Sequence, residues 1–201
     1  MNETQRQEKY EQQTEQLYAA IGRFAVKFEH VCHAMHSGIA SILQRDGLQS
    51  QRFANAVLEG LTAEPLRRIF SALVAEVRGV QLVDNEKQIL ANILKRITQL
   101  TESRNDIIHR MWFVGWASPA DEDFSKVAGW KFKNTNKGVE FRGLDYTAAD
   151  FDSLSEQADE LATLINRLVG CLFLSRPFVE NFILESDGTV RPPNASASSK
   201  T

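Results

Sequence analysis

The sequence predicts an all-α protein, a four-long-helix up-and-down bundle with a small β-hairpin inserted between helices three and four. Two observations predict it. Apolar residues recur at steps of three, four and seven through four long stretches, and between the last two of these the pattern changes to alternation around an Asn134-Thr135-Asn136-Lys137-Gly138 turn.

The first helix is expected from about Glu8 to Arg45. Leu17, Ile21, Phe24, Phe28, Val31, Met35 and Ile42 share one face, and Gly47 stands where a helix stops. A short helix around Phe53 to Leu61 follows. Thr62 then caps the second long helix, with Pro65 in its first turn and Leu66, Ile69, Phe70, Leu73 and Val77 as its buried stripe, up to Gly79. Asp84 caps the third, and Glu86 suits its positive dipole end. Its stripe is Ile89, Leu90, Ile93, Leu94, Ile97, Leu100, Ile108 and Met111.

Met111 to Trp116 is an apolar run with β character. After the acidic turn Asp121-Glu122-Asp123, Val127–Phe132 and Val139–Phe141 flank the turn of the expected hairpin, an insertion over about 112–143. Thr147 and Asp150 form a capping-box start. The fourth helix then carries Leu154, Ala158, Leu161, Ile165, Leu168 and Leu172, and ends by Pro177. Residues 1–186 read as a single domain, and the Pro- and Ser-rich stretch 187–201 as a disordered tail.

Composition narrows the class of function. The chain has 201 residues, 43% hydrophobic and 24% charged, with a formal net charge of −3. That balance argues against broad electrostatic capture of nucleic acid but leaves room for a local basic patch. Cys32 and Cys171 are too few for a disulfide framework and read as reduced thiols. The polar N-terminus lacks a signal-peptide layout, and the longest apolar run, Leu164 to Leu174, is broken by Asn166 and Arg167. A cytoplasmic protein without membrane contact is expected.

One position breaks the helical pattern. On a wheel of about 100° per residue, Ile93, Ile97, Leu100, Ile108 and Met111 fall within roughly 40° of Arg104, so a cation stands in the middle of a stripe that should be buried. A buried charge costs several kcal/mol unless it is paired or used. Asn105 and His109, four apart, lie together on one flank of that stripe. Together they offer a cationic fork for phosphate, an imidazole that can take up or give a proton, and an amide to orient either. Two structural uses stand beside this: Arg104 can answer a buried carboxylate such as Glu29, and His109 can be a surface residue favoured by the helix C-terminus.

The segment Ser103-Arg104-Asn105-Asp106-Ile107-Ile108-His109-Arg110 resembles the Arg-x(4–6)-His signature of HEPN domains, in the four-spacer form with a polar residue directly after the arginine. The likeness spans roughly Tyr10 to Phe182 and implies a HEPN-like helical bundle. The resemblance further implies a homodimeric, metal-independent RNA endonuclease of the toxin or phage-defence kind, with Arg104, His109 and Asn105 as catalytic residues and no cofactor. RNA would be its substrate, and an antitoxin protein encoded elsewhere a partner. The alternative is a non-catalytic bundle of the same kind that binds RNA, a nucleotide or a protein.

Two further groupings bear on chemistry. Glu29–His33 and Cys32–His36 have the i,i+4 spacing of a shared metal site, with His30 nearby, but the pattern is not the Glu-x-x-His pair of ferritin-like helices, and no metal is expected. The hairpin interleaves Lys126, Lys131, Lys133, Lys137 and Arg142 with Trp130, Phe132 and Phe141. That suits single-stranded RNA; it equally suits a half-buried ribbon whose aromatics pack on the helices while its lysines face water.

Overall fold

The computed structural model describes residues 1–48, 50–78, 82–116, 121–136 and 138–193. The expected helix stop at Gly79, part of the hairpin turn at Lys137 and the tail beyond residue 193 lie outside them. The described chain groups into two compact units, Met1–Phe28 with Glu102–Ala158, and Glu29–Thr101 with Asp159 onward.

The elements in order are α1 (Glu3–Arg45), α2 (Gln51–Leu58), α3 (Ala63–Arg78), α4 (Asp84–Ile108), β1 (Met111–Trp112), β2 (Lys126–Thr135), β3 (Gly138–Thr147), α5 (Ala148–Phe173), a 3-10 turn at Phe178–Glu180, β4 (Ile183–Leu184) and β5 (Val190–Arg191). The four-long-helix bundle with a hairpin is therefore corrected. Among the described residues there are five α-helices, a three-stranded antiparallel sheet ordered β1-β2-β3, and a separate two-stranded sheet, β4-β5. The physical reasons are local. The apolar run after α4 pairs as β1, Met111 opposite Trp130 and Trp112 opposite Gly129, and makes a third strand of what the sequence reads as a hairpin. β2 and β3 stay in register from Lys126↔Thr147 to Thr135↔Gly138, because alternation continues through the polar half of β3, where Leu144 and Tyr146 share the inner face.

In the first unit, Leu17, Phe24 and Phe28 of α1, Ile107 of α4, Val127 of β2 and Phe151 of α5 are buried, with Phe124 just before β2. Gly129 fixes how the sheet closes: a Cβ there would stand 2.6 to 2.8 Å from three ring atoms of Trp112. The Trp112 ring also meets Tyr146 and Phe151 edge-on, at 5.8 and 5.4 Å between centroids. Its indole N–H donates to the Ile107 carbonyl at 2.8 Å. The acidic segment is held to the start of α1, where Lys9 donates to the Glu122 carbonyl at 2.6 Å and Gln13 accepts the Phe124 N–H at 2.8 Å. α5 begins with the expected reciprocal cap. The Thr147 N–H donates to Asp150 at 2.7 Å and the Asp150 N–H to the Thr147 hydroxyl at 3.3 Å, and the Thr147 contacts hold the Asp150 carboxyl below its ordinary range.

In the second unit, Val31, Met35 and Ile39 of α1 meet a core with Phe70 and Val74 of α3, Ile89, Ile93 and Ile97 of α4, and Leu161, Ile165 and Leu168 of α5. Gly38 permits close approach there, since a Cβ would stand 2.7 Å from Val169 and 2.9 Å from Phe70. Glu86, in the first turn of α4, is buried and accepts the Phe178 N–H at 2.6 Å. The chain from Asp187, where composition predicts a disordered tail, pairs as β5 with β4 as far as Arg191. Asn92 donates to the Gly188 carbonyl at 2.7 Å and Arg96 to the Val190 carbonyl at 3.2 Å, and the Val190 side chain is buried. Among the described residues no helix is long and apolar enough to cross a membrane.

Candidate functional site

α4 carries the Arg104–His109 segment to its end. The stripe runs as expected through Leu100, but its last members differ: Ile107 is buried, whereas Ile108 and Met111 are exposed. The helix stops at Ile108 and the chain turns into β1, so helical geometry no longer governs Met111. Arg104 thus stands over the last buried turn and is half-buried. Its guanidinium carbon lies 5.6 Å from the centroid of the Phe28 ring, a cation–π contact, and its Nη1 donates to the Asn105 side-chain oxygen at 3.3 Å. These contacts fix the direction of the cation while part of it still meets water.

His109 occupies the first position past the helix. Its main-chain N–H donates to the Asn105 carbonyl at 3.3 Å, and its side chain is exposed. The structure joins Arg104 to Asn105 through side chains, and His109 to Asn105 through the main chain. The proposed triad accordingly sits on one turn and its exit, with a held cation and an accessible imidazole.

Sequence reasoning passed over the residue in the middle of the motif. Asp106 accepts from Arg110 Nη2 at 2.6 Å and Nε at 3.1 Å, and from Lys131 of β2 at 3.1 Å. Arg110 also donates to the Gly129 carbonyl at 3.3 Å and the Arg142 carbonyl at 3.0 Å, with its side chain only 6% exposed. Desolvation works to raise the Asp106 pKa, but the hydrogen bonds and charges of Arg110 and Lys131 outweigh it and hold the carboxyl below its ordinary range. The i,i+4 spacing of Asp106 and Arg110 was the available signal; the Lys131 bond depends on sheet placement, which spacing along the chain does not carry. This cluster anchors the end of α4 to the sheet beside the candidate site.

The helix-one histidines meet a different setting. Glu29, Cys32, His33, His36, Gln51 and Asn55 are among the residues lining an open cavity of about 340 Å³ in the second unit, and the His33 ring lies 3.3 Å from the Ser37 hydroxyl. Among the described residues no three His, Cys, Asp or Glu side chains are grouped to hold a metal ion. Cys171 is buried and Cys32 half-buried.

The hairpin aromatics also differ from the packed-ribbon reading. Trp130, Phe132 and Phe141 are exposed, whereas Lys131 is turned inward to Asp106.

Comparison of the chain with protein-family models, curated proteins and solved structures finds no match in any of the three.

Proposed function

We propose that this chain is a metal-independent RNA endonuclease of the HEPN type, acting in the cytoplasm as a homodimer, in a toxin or phage-defence role with a separately encoded antitoxin partner. The observation that carries this reading is the arrangement at the end of α4: a half-buried Arg104 aimed by Phe28 and Asn105, with an exposed His109 directly past the helix. The motif and its chemistry support the reading; the corrected helical architecture lends it nothing.

RNA brings its own nucleophile. The ribose 2′-oxygen attacks the adjacent phosphorus, the P–O bond to the 5′-oxygen of the next nucleotide breaks, and the products are a 2′,3′-cyclic phosphate and a 5′-hydroxyl. His109 of one subunit takes the 2′-hydroxyl proton, and His109 of the partner subunit delivers a proton to the leaving oxygen. Arg104 faces the charge that grows on the non-bridging oxygens. Asn105 holds the Arg104 fork and the phosphate. Each subunit supplies one imidazole, so acid and base come from two chains.

The test compares wild type with His109→Ala and Arg104→Ala on a mixed RNA pool in EDTA. Cleavage with cyclic-phosphate ends, lost in both variants, supports the proposal. Cleavage that survives His109→Ala overturns the role of that residue, and cleavage abolished by EDTA overturns the metal-free route.

The Arg104–Phe28 contact also favours a second reading, in which Arg104 is a structural cation and the chain binds RNA, a nucleotide or a protein partner without cutting it. Retained RNA binding with intact RNA would select it.

A further inference from the structure

The far end of α5 and the chain after it enclose an open cavity of about 360 Å³ in the second unit, a volume in the range of small-ligand sites. Arg167, Arg176, Thr163, Asn181, Gly170 and Leu174 are among the residues that line it, and no described lining residue is acidic. Thr163, Arg167, Gly170 and Leu174 follow at steps of four, three and four, which puts them on one face of α5 and its exit. The chain then turns so that Arg176 and Asn181 reach the same cavity. The Ser175 N–H donates to the Leu172 carbonyl at 3.4 Å and the Arg176 N–H to the Cys171 carbonyl at 2.9 Å. This is a Schellman turn with serine, at a φ of 52°, where glycine is usual. Past it, the Asn181 amide donates to the Pro177 carbonyl at 2.8 Å.

Two of these residues lack a structural use. Arg167 is half-buried, and among the described residues it has no hydrogen-bond or ion-pair partner. Its neighbours one turn away on α5 are Thr163, Leu164, Gly170 and Cys171, none of them acidic. The helix dipole does not account for the cation either, because Arg167 stands more than a turn before Phe173 and the effect is confined to the last turn. Gly170 weakens the helix that contains it, yet a Cβ there would meet nothing within 4 Å, in contrast to Gly38, where packing requires the glycine. What Gly170 does is leave the cavity open.

We infer that this cavity binds a small phosphomonoester. A guanidinium is a planar fork that matches phosphate oxygens. Two of them, from Arg167 and Arg176, answer both charges of a dianion, whereas a single carboxylate would meet only one. The Asn181 amide keeps a second N–H for the same group. The Thr163 hydroxyl already donates to the Asp159 carbonyl at 3.0 Å and adds no donor. The space over Gly170 and against Leu174 takes the organic part of the ester. This inference does not rest on the catalytic reading: the cavity belongs to the second unit, Arg104 and His109 to the first, and binding is measured without RNA cleavage.

The experiment is isothermal titration of the full chain at about pH 7.5, where a phosphomonoester is mostly dianionic, with circular dichroism to confirm that each variant is folded. Phenyl phosphate is expected to bind at least about tenfold more tightly than benzoate, which carries a similar ring and one charge, and inorganic phosphate is expected to compete with it. Arg167→Gln keeps the length of the side chain's polar end but removes its charge, and Gly170→Leu fills the open space. Each is expected to weaken phenyl phosphate binding by at least about tenfold. Four outcomes overturn the inference: no binding of phenyl phosphate at millimolar concentration, equal binding of benzoate, no competition by inorganic phosphate, or a folded variant that binds like wild type. A 5′-phosphorylated oligouridylate that binds more tightly than phenyl phosphate, and loses that binding in Arg167→Gln, overturns it too, because the cavity then holds an RNA end and not a small ester.

Discussion

Asp106 and Arg110, one helical turn apart, share two hydrogen bonds of 2.6 and 3.1 Å, and through them the end of α4 is fastened to the sheet. The Asp106 carboxylate is 40% exposed, so solvent screens part of the interaction, while the Arg110 side chain it satisfies is nearly buried. Asp106→Asn is expected to lower stability near neutral pH by about 1 kcal/mol. Its folded pKa lies below the ordinary value. The Asp106 contribution is therefore full above an unfolded pKa of about 3.9 and is lost as pH falls through the lower folded pKa. Urea titrations of wild type and variant should differ at pH 6 to 7 and converge in strong acid; a gap that persists there removes the carboxylate as its cause.

Glu86 serves a main-chain donor far along the chain, the Phe178 N–H, from a buried position. Glu86→Ala leaves that N–H without its acceptor and should cost about 1–3 kcal/mol. Glu86→Gln keeps an oxygen in place and should restore much of the loss. Equal midpoints for the two variants in thermal melts would show that the acceptor is immaterial.

Gly129→Ala tests the closure of the sheet. The added carbon meets the Trp112 ring, which cannot withdraw freely because Tyr146, Phe151 and the Ile107 carbonyl hold it. A loss of about 1–3 kcal/mol is expected, with an altered near-ultraviolet dichroism from the displaced indole. An unchanged urea midpoint would mean that the ring moves aside at no cost.

His109→Ala separates chemistry from folding. The side chain is exposed past the helix end, so the stability change should stay within about 0.5 kcal/mol. RNA cleavage should fall by about 10²–10⁴-fold, the usual worth of a general acid or base. A parallel loss of both would assign His109 to the fold.

Much of the framework was legible because it is local. Apolar spacing located the helices, Gly47 marked the end of α1, where it adopts a positive φ of 110°, and Thr147 with Asp150 marked the start of α5. What failed depends on partners distant in sequence. Alternation tells which residues of β2 and β3 share a face, but not which face the core takes. Trp130 and Phe132 could have packed inward; Val127, Gly129 and Tyr146 took that place because Trp112 fits against a glycine and not against a larger residue. The stripe of α4 ended on the buried Ile107, whereas Ile108, the last residue of the helix, is exposed, and Met111 lies beyond the helix in β1. Val190 is the one large apolar residue in a Pro- and Ser-rich stretch, and its burial depends on Asn92 and Arg96 holding the Gly188 and Val190 carbonyls. At the candidate site, Arg104, Asn105 and His109 stood out by type and position, whereas Phe28 and Lys131, which shape their surroundings, come from other elements.

All three tryptophans of the chain, Trp112, Trp116 and Trp130, belong to β1, β2 and the segment after β1, within the unit that contains the sheet. Indole emission is therefore a local probe, blind to the unit built around Phe70 and Ile93, whereas helical dichroism samples both. A cooperative molecule gives superimposable denaturation curves from the two signals. If emission and ellipticity change at different urea concentrations, the sheet-bearing unit loosens on its own, and a single unfolding free energy no longer describes the chain.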